Sequence, residues 1–258
     1  MISEPSRTTV LRSRLRYLSF VALLPIFVIA LQLWADEPYA RSRDYDLQHS
    51  KIALRFDVQQ KKVLGDVTHL LSILRDGTTK ISFDSVGLTI QSVTVNRSPA
   101  KFETPWGKLI VLLPAPAKTG DKFEVAIHYE GKPAKGLYFI LPDKDYPDRP
   151  KQIWTQGESE DTRYYLPTYD YPNDRLTTET ILTVPASWIT ISNGKLINVT
   201  DAGKDLKTWY WKESVLSSTY LITIVAGEFD EVKETWRGIP VTYYAPKGRG
   251  DRDRKSVV

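Results

Sequence analysis

The 258-residue sequence has no cysteine, and its only methionine is Met1. Without cysteine the chain can form neither a disulfide framework nor a thiolate metal site. Its three histidines, His49, His69 and His128, lie far apart in the sequence, and none belongs to a His-Glu-x-x-His motif. That motif places two zinc-binding histidines one helical turn apart. These residues therefore do not supply zinc catalysis of the usual kind.

A strong excess of one charge is also missing from most of the chain. Residues 1–35 hold Arg7, Arg12, Arg14 and Arg16 against Glu4, so this short stretch accounts for +3 of the total net charge of +4. The other 223 residues carry only +1, although the isoelectric point of the whole chain is about 9.0. Nucleic-acid binding calls for a basic patch on the folded part, and the sequence gives no indication of one.

The one long apolar run lies near the N-terminus. Arg12, Arg14 and Arg16 precede an uncharged, mostly apolar stretch over residues 17–35. This pattern predicts a secretory signal peptide over residues 1–35, cleaved near Ala35, and an uncleaved membrane anchor helix is the alternative because the run is about long enough to span a bilayer. Both interpretations place the body of the chain outside the cytoplasm, in the periplasm or beyond the cell. Residues 36–44 form a polar linker.

From residue 45 onward, short apolar runs are separated by turn residues, and long capped helical periods are missing. Ile52, Leu54 and Phe56 alternate with polar residues, which is the period-two pattern of a half-buried strand. Similar runs predict strands at 67–74, 81–83, 88–95, 109–113, 123–129, 137–140, 177–184, 189–191, 209–212, 220–226 and 239–244. This spacing predicts an all-β domain with antiparallel or mixed sheets, built as a β-sandwich or a saddle-shaped sheet.

Four details of that prediction can be checked directly. We expect the strand at 109–113 to end at Pro114, and the Ser192-Asn193-Gly194 sequence to close a hairpin. The dense apolar run at 220–226 is expected to be a central strand, and the run at 239–244 another.

The segment from Trp154 to Pro172 differs from its surroundings because it combines polar, charged, aromatic and proline residues. Ile153 and Trp154 indicate the end of a strand. Gln156 and Glu158 are two residues apart, so in an extended chain their side chains leave the same face. An amide beside a carboxylate would suit a cationic, hydrogen-bonding ligand such as an amine. A solvated loop with no function is the alternative.

The order of several motifs resembles the N-terminal domain of the zinc aminopeptidases of the aminopeptidase N family, which also includes leukotriene A4 hydrolase. The resemblance runs from about Tyr45 to Lys247, and its most specific part is Trp154-Thr155-Gln156-Gly157-Glu158 followed by Arg163, Pro167, Asp170 and Pro172. Other landmarks are Tyr45 to His49, Gly65, Thr68, Ser192-Asn193-Gly194, Ser218 to Leu221 and Gly227-Glu228-Phe229.

The resemblance implies roles for two residues, and we expect two others to be structural. Glu158 would hold the free α-ammonium group of a peptide substrate, and Gln156 would line the pocket for its first side chain. Arg163 and Asp170 would hold the motif in place by ion pairing or turn formation. No residue of this chain is expected to be catalytic or to bind metal; zinc would belong to a separate catalytic domain, the intramolecular partner.

The motifs of that catalytic domain are not in the sequence. Neither His-Glu-x-x-His nor Gly-x-Met-Glu-Asn is present, so we expect the chain alone to be inactive and to be a truncated N-terminal domain spanning residues 45–247. Residues 248–258 predict a disordered tail. The last six, Asp253 to Val258, match the in-frame translation of a short-read sequencing adapter, and a genuine charged tail is the alternative.

Two rivals to the aminopeptidase interpretation make different structural predictions. A stand-alone exported binding module would present a polar face around residues 156–172, whereas a domain that needs a partner would expose an apolar patch there. An inert structural domain would bury Glu158 and pair it. Nucleic acid is not an expected partner, and a membrane would be contacted only through residues 12–35, if these are uncleaved.

Overall fold

A computed structural model describes residues 41–250, whose regular secondary structure is nearly all β-strand, with two short 3-10 turns at Thr162–Tyr164 and Thr219–Leu221. This confirms the predicted all-β class. The strands are β1 Tyr45–Asp57, β2 Lys62–Ile73, β3 Thr78–Asp84, β4 Leu88–Val95, β5 Ser98–Pro99, β6 Phe102–Glu103, β7 Lys108–Ala117, β8 Lys122–Gly131, β9 Leu137–Ile140, β10 Gln152–Thr155, β11 Leu176–Pro185, β12 Ile189–Ser192, β13 Lys195–Gly203, β14 Leu206–Ser217, β15 Ile224–Gly227, β16 Phe229–Trp236 and β17 Ile239–Pro246.

The largest sheet has eight strands in the order β13-β14-β11-β1-β2-β8-β4-β5. All neighbours are antiparallel except β1 and β11, which run parallel with Ile52 opposite Thr180. The sheet is therefore mixed. Along β1 and β2 the side chains alternate between a buried face and a more exposed one, as the period-two patterns predict.

Two smaller sheets contribute residues to the same apolar core as the large one. The four-stranded sheet has the order β12-β15-β10-β9, and the three-stranded sheet has the order β3-β7-β6. A single apolar core joins all three sheets; it includes Leu54 from the large sheet, Phe83 from the three-stranded sheet and Ile153 from the four-stranded sheet. Burial of these strand faces is the main force that holds the sheets together.

Strand β7 does not end at the prolines as predicted, because it continues through Pro114 and Pro116 to Ala117. The pairing of β7 with β3 is irregular between Thr78 and Lys80, and β6 pairs only with residues 110 and 111 of β7. The prolines therefore occupy positions where no neighbouring strand needs their missing N–H group.

The predicted hairpin at Ser192-Asn193-Gly194 is wrong. The strands on either side belong to different sheets, because β12 pairs with β15 and β13 pairs with β14. Gly194 has a φ of 78°, and its Cα lies so near β14 that a Cβ would come within 2.1 Å of the carbonyl oxygen of Lys212. The triplet thus turns the chain from one sheet to another.

The run at 220–226 is only partly a strand. Its second half forms β15, which lies between β12 and β10 as a central strand should, but its first half belongs to the 3-10 turn at Thr219–Leu221. The run at 239–244 is a strand but not a central one. It forms β17, which pairs only with β16; half of the residues of this two-stranded ribbon are exposed, and just one of them, Ala245, is buried.

The predicted signal or anchor over 1–35, most of the linker and the end of the tail lie outside the described residues. Within residues 41–250 no helix is long and apolar enough to cross a membrane.

Candidate functional site

The candidate site begins where β10 leaves the four-stranded sheet. β10 ends at Thr155, one residue beyond the predicted end at Trp154, and the amide of Gln156 extends the pairing with β9 by donating to the carbonyl of Gly136 at 2.9 Å. The hydroxyl of Thr155 accepts a hydrogen bond from the amide of Ile224 at 2.9 Å and ties β10 to β15. Gln156 is exposed and is therefore presented at the end of an anchored strand.

Glu158 is the first residue of a turn that follows the strand. Residues 158–161 form a turn, which is closed by the amide of Asp161 donating to the carbonyl of Gly157 at 2.9 Å. Gly157 is buried against the 3-10 turn at Thr219–Leu221, where a Cβ would lie 2.6 Å from the carbonyl oxygen of Tyr220. The residue between Gln156 and Glu158 must therefore be glycine in this packing.

The carboxylate of Glu158 is open to solvent. No side chain of residues 41–250 forms a hydrogen bond or an ion pair with it. An inert structural domain would have buried and paired this group, so that interpretation is contradicted. Charged side chains that are exposed and unpaired are common on protein surfaces, so exposure alone does not identify a binding residue.

Behind the turn, Arg163 and Asp170 form an ion pair with each other, which is one of the two structural roles predicted for them. The Arg163 amide donates to Asp170 Oδ2 at 2.9 Å, Nε donates to the same oxygen at 3.2 Å, and Nη2 donates to the Asp170 carbonyl at 2.7 Å. Arg163 also pairs with the carboxylate of Glu160. These bonds fold residues 160–170 into a closed loop.

Asp84, at the end of β3, connects this loop to the core. Its backbone pairs with Thr168, and its Oδ2 accepts from the amide of Asp170 at 2.9 Å. Asp84 is fully buried and is neutralised by Lys108 and by Arg163, whose Nη1 lies 3.9 Å from Oδ1. Two buried carboxylates are thus balanced by two cations.

His69 holds the same loop from the large sheet. Its Nε2 donates to the carbonyl of Pro167 at 2.8 Å, and its Nδ1 lies 2.7 Å from the hydroxyl of Ser50. Burial disfavours the imidazolium ion and lowers the pKa of His69 from 6.5 to about 4, although the bond to Pro167 acts in the opposite direction. Burial also raises the pKa of Asp170, against the effect of the Arg163 hydrogen bonds and charge.

Asp84 and His69 were not predicted from the sequence to belong to this region. An isolated Asp at a strand end and an isolated His within a strand give no local signal, because their partners lie 86 and 98 residues away. In contrast, Arg163 and Asp170 are close in sequence and were recognised with the motif.

The surface around the loop mixes polar and apolar groups. Within residues 156–172 the exposed residues are Gln156, Glu158, Ser159 and Pro172. Two large apolar residues flank them: Trp154, which stacks on Tyr138 with ring centroids 4.7 Å apart, and Leu221, which is 47% exposed. The apolar surface is therefore at the margin of the segment and not within it.

A zinc site does not fit the part of the chain that the structure describes. It contains no group of three or more His, Asp or Glu side chains that could surround a metal ion. His69 has both ring nitrogens bonded within the core, while His49 and His128 lie on β1 and β8 beside Thr177 and Asp66.

Comparison with known protein families gives a match over most of the described chain. The family described as the Peptidase M1 N-terminal domain matches residues 42–221. Among individual proteins, the chain is 27% identical over 175 residues to "Probable aminopeptidase 1" of Sulfurisphaera tokodaii. The aligned region covers 67% of this chain and 21% of that protein. The chain is 26% identical over 202 residues to "Aminopeptidase N" of Acetobacter pasteurianus, covering 76% of this chain and 57% of that protein.

Solved structures share the fold. An M1 zinc metallopeptidase from Deinococcus radiodurans, an E323A mutant bound to a Tyr-Ser-Ala substrate, matches with a TM-score of 0.66 and 23% identity, covering 84% of this chain and 53% of that chain. A two-domain M1 zinc metallopeptidase mutant bound to L-tryptophan matches with a TM-score of 0.67 and the same identity. This chain thus spans from about a fifth to just over half of the relatives that it matches.

Proposed function

Because the chain belongs to the Peptidase M1 N-terminal domain family, we propose that it holds the N-terminus of a peptide for a zinc aminopeptidase catalytic domain. Glu158 binds the free α-ammonium group of the peptide, and Gln156 lies beside the first side chain. The reaction served in this way is hydrolysis of the first peptide bond, which removes one residue at a time.

The observation that supports this proposal most is the contrast between Glu158 and its neighbours. The nearby buried carboxylates of Asp84 and Asp170 are already paired with cations and hydrogen-bonded within the loop. Glu158 has no such partner among residues 41–250, and it is carried on a turn whose base is buried. A free carboxylate on a rigid support is what recognition of a cation requires.

Elementary chemistry explains why a carboxylate serves this purpose. An α-ammonium group has three N–H donors and no acceptor, so an ionised carboxylate is its natural partner. Charge-assisted hydrogen bonds of this kind are roughly twice as strong as neutral ones. Once the ammonium is held, the distance from the turn to the first peptide bond is fixed, and this selects the bond that meets the catalytic group.

The proposal can be tested on the 258-residue chain by NMR titration with the tripeptide Tyr-Ser-Ala. We expect the amide signals of residues 156–161 to shift on binding. Glu158→Gln keeps the size of the side chain but removes its charge, and we expect it to weaken binding about tenfold, given that hydrogen bonds to charged groups contribute about 1.5–3 kcal/mol. Glu103→Gln, at an exposed position on β6, is the matched control and should bind as the wild type does.

Equal binding by wild type and Glu158→Gln would contradict the role of Glu158. Shifts confined to residues outside the 156–172 loop would place the peptide elsewhere and would also contradict the proposal.

Zinc enters the proposal only through the partner domain. The solved relatives are zinc metallopeptidases, and a zinc ion in such a domain would polarise the carbonyl and activate a water molecule. The residues of this chain would contribute by binding and orienting the peptide. An intramolecular catalytic domain is the partner that we propose, with no role for nucleic acid.

Location outside the cytoplasm is a separate proposal, supported by the sequence alone. Arg12, Arg14 and Arg16 followed by the apolar run over residues 17–35 are the supporting observation. N-terminal sequencing of the protein recovered from a secreting host tests it. A new N-terminus near Asp36 would indicate signal cleavage, an intact chain in the membrane fraction would indicate an anchor, and an intact cytosolic chain would contradict export.

A further inference from the structure

The loop that supports Glu158 is unusual because it is buried without belonging to a sheet. Residues 165–170 are all buried, and only Thr168 forms a strand-like bridge, with Asp84. A buried carbonyl without a hydrogen bond is costly, and a segment outside a sheet cannot satisfy its carbonyls through a ladder. Side chains from other strands donate hydrogen bonds to two of these carbonyls instead.

His69 is one of them, and its hydrogen bonds have a fixed direction. A carbonyl oxygen can only accept, so Nε2 must carry the proton that it donates to Pro167. Nδ1 then accepts from the hydroxyl of Ser50 on the neighbouring strand. The ring of Phe83 stacks on the imidazole with centroids 4.9 Å apart and limits its rotation. The position of the Pro167 carbonyl is therefore set by a side chain that is itself held on three sides.

Tyr129, on the next strand of the sheet, does the same for a second carbonyl. Its buried hydroxyl donates to the carbonyl of Tyr165 at 2.9 Å. The phenol ring crosses over Gly65, its cross-strand neighbour, where a Cβ would lie only 2.3 Å from the ring. The absence of a side chain at residue 65 leaves the space through which Tyr129 reaches the loop.

Both supported carbonyls lie just after the 3-10 turn at Thr162–Tyr164, which is itself preceded by the Glu158 turn. Asp161 links the two turns because its amide closes the first and its carbonyl accepts from the amide of Tyr164. The backbone of Glu158 is therefore anchored on one side by Gly157, which packs on Tyr220, and on the other by a loop that His69 and Tyr129 hold from the sheet, while its side chain is exposed.

We propose that His69 and Tyr129 are positioning residues for Glu158, setting the place of its carboxylate through the carbonyls of Pro167 and Tyr165. This inference rests on the proposed function of Glu158. Neither residue contacts the peptide. Each fixes the position of the turn through a hydrogen bond to the loop. Gly65 is needed because any larger residue would clash with the ring of Tyr129. Removal of either hydrogen bond should leave the sheet folded but lower the affinity of Glu158 for the ammonium group of the peptide.

Two substitutions at His69 distinguish a role in positioning the loop through a hydrogen bond from a role in packing the core alone. The amide nitrogen of a glutamine lies at about the same distance from the backbone as Nε2, so His69→Gln can still donate to Pro167, whereas the shorter His69→Asn cannot. We expect His69→Asn to weaken binding of Tyr-Ser-Ala about fivefold, because an ordinary hydrogen bond contributes about 1 kcal/mol. His69→Gln should stay within about twofold of the wild type, and Gly65→Ala should resemble His69→Asn.

Amide hydrogen exchange gives a second measurement that needs no ligand. We expect the Asp161 amide to exchange several-fold faster in His69→Asn than in the wild type, and at nearly the wild-type rate in His69→Gln. Thermal unfolding of all variants confirms that each is folded at the temperature of the measurements.

Each outcome decides the proposal. Wild-type affinity and exchange in His69→Asn would overturn it, and so would equal losses in the Asn and Gln variants, because the residue would then only fill space. If the wild type binds no peptide, the proposed function fails, whereas the exchange rate of Asp161 still decides whether His69 positions the turn.

Discussion

Single buried polar side chains determine how the Glu158 loop is held. His69, Asp84, Asp170 and Tyr129 are each almost completely inaccessible to solvent, and each is bonded to the loop. Burial of a polar group is unfavourable unless its hydrogen bonds are satisfied. These residues can therefore be replaced only by side chains that make the same bonds, which gives two predictions at this scale.

The first concerns pH and His69. Because the pKa of His69 is about 4 in the folded chain and 6.5 is its ordinary value, the unfolded chain binds more protons between these values. Stability is thus unaffected by His69 above pH 6.5 and falls as the pH decreases toward 4. We expect a loss of ~2 kcal/mol at pH 5 relative to pH 7, from 1.36 kcal/mol per pKa unit.

His69→Gln does not titrate and serves as the control in this experiment. The raised pKa values of Asp170 and Asp174 act in the opposite sense near their own titration range, and they are common to both proteins. The quantity to measure is the difference in unfolding free energy between wild type and variant from pH 7 to pH 5. A constant difference would contradict the prediction.

The second prediction concerns the buried ion pair. Asp170→Asn keeps the shape of the side chain but leaves Arg163 with less compensating charge, so we expect a loss of about 3 kcal/mol in urea unfolding. Arg97→Gln breaks the pair of Arg97 with Glu124, in which the arginine is 88% exposed, and should cost less than about 1 kcal/mol. Similar losses in the two variants would show that the Arg163–Asp170 pair does not stabilise the loop.

At the scale of elements, most strands follow from local patterns, and the errors arise where pairing is decided at long range. β4 and β9 begin and end where the sequence predicts, because alternation and turn residues mark both ends. The Ser192-Asn193-Gly194 error has a different origin. A glycine with positive φ suits a hairpin and a crossover equally, and the choice depends on β15 and β14, which come later in the chain.

In the candidate site, too, local features could be predicted from the sequence and features that depend on distant strands could not. Gln156, Glu158, Arg163 and Asp170 lie within one short segment and could be predicted from it. The exposure of Glu158 could not, because it depends on the turn at 158–161 and on the closeness of Gly157 to Tyr220. Asp84 and His69 reach the loop from distant strands and have no signature in the sequence around them.

One prediction belongs to the β13–β14 hairpin. Its turn residues Lys204 and Asp205 have φ values of 52° and 57°, in the left-handed region that favours Asn and Gly over Lys. We expect replacement of this pair by Asn and Gly to relieve this backbone strain and to stabilise the chain by ~1 kcal/mol, measured as a rise in Tm. The exposed substitution Lys207→Asn on β14 is the control, and a Tm that is unchanged or lowered by the turn replacement would contradict the prediction.

At the scale of the whole molecule, three sheets of the described residues share one core, and the loop that carries the exposed Glu158 is attached to it. Under the proposed function this domain binds the peptide, and the partner domain carries out the chemistry. We expect the purified 258-residue chain to show no hydrolysis of aminoacyl chromogenic substrates, since the sequence contains no His-Glu-x-x-His motif. Turnover that a metal chelator abolishes would contradict this expectation.

The central claim is that Glu158 binds the α-ammonium group of a peptide, and a double-mutant cycle tests it most directly. The affinities of wild type and Glu158→Gln are measured for Tyr-Ser-Ala and for its Nα-acetyl form, which lacks the charge. We predict that acetylation weakens binding to the wild type about tenfold and leaves binding to Glu158→Gln nearly unchanged. An equal effect of acetylation on both proteins would contradict the claim.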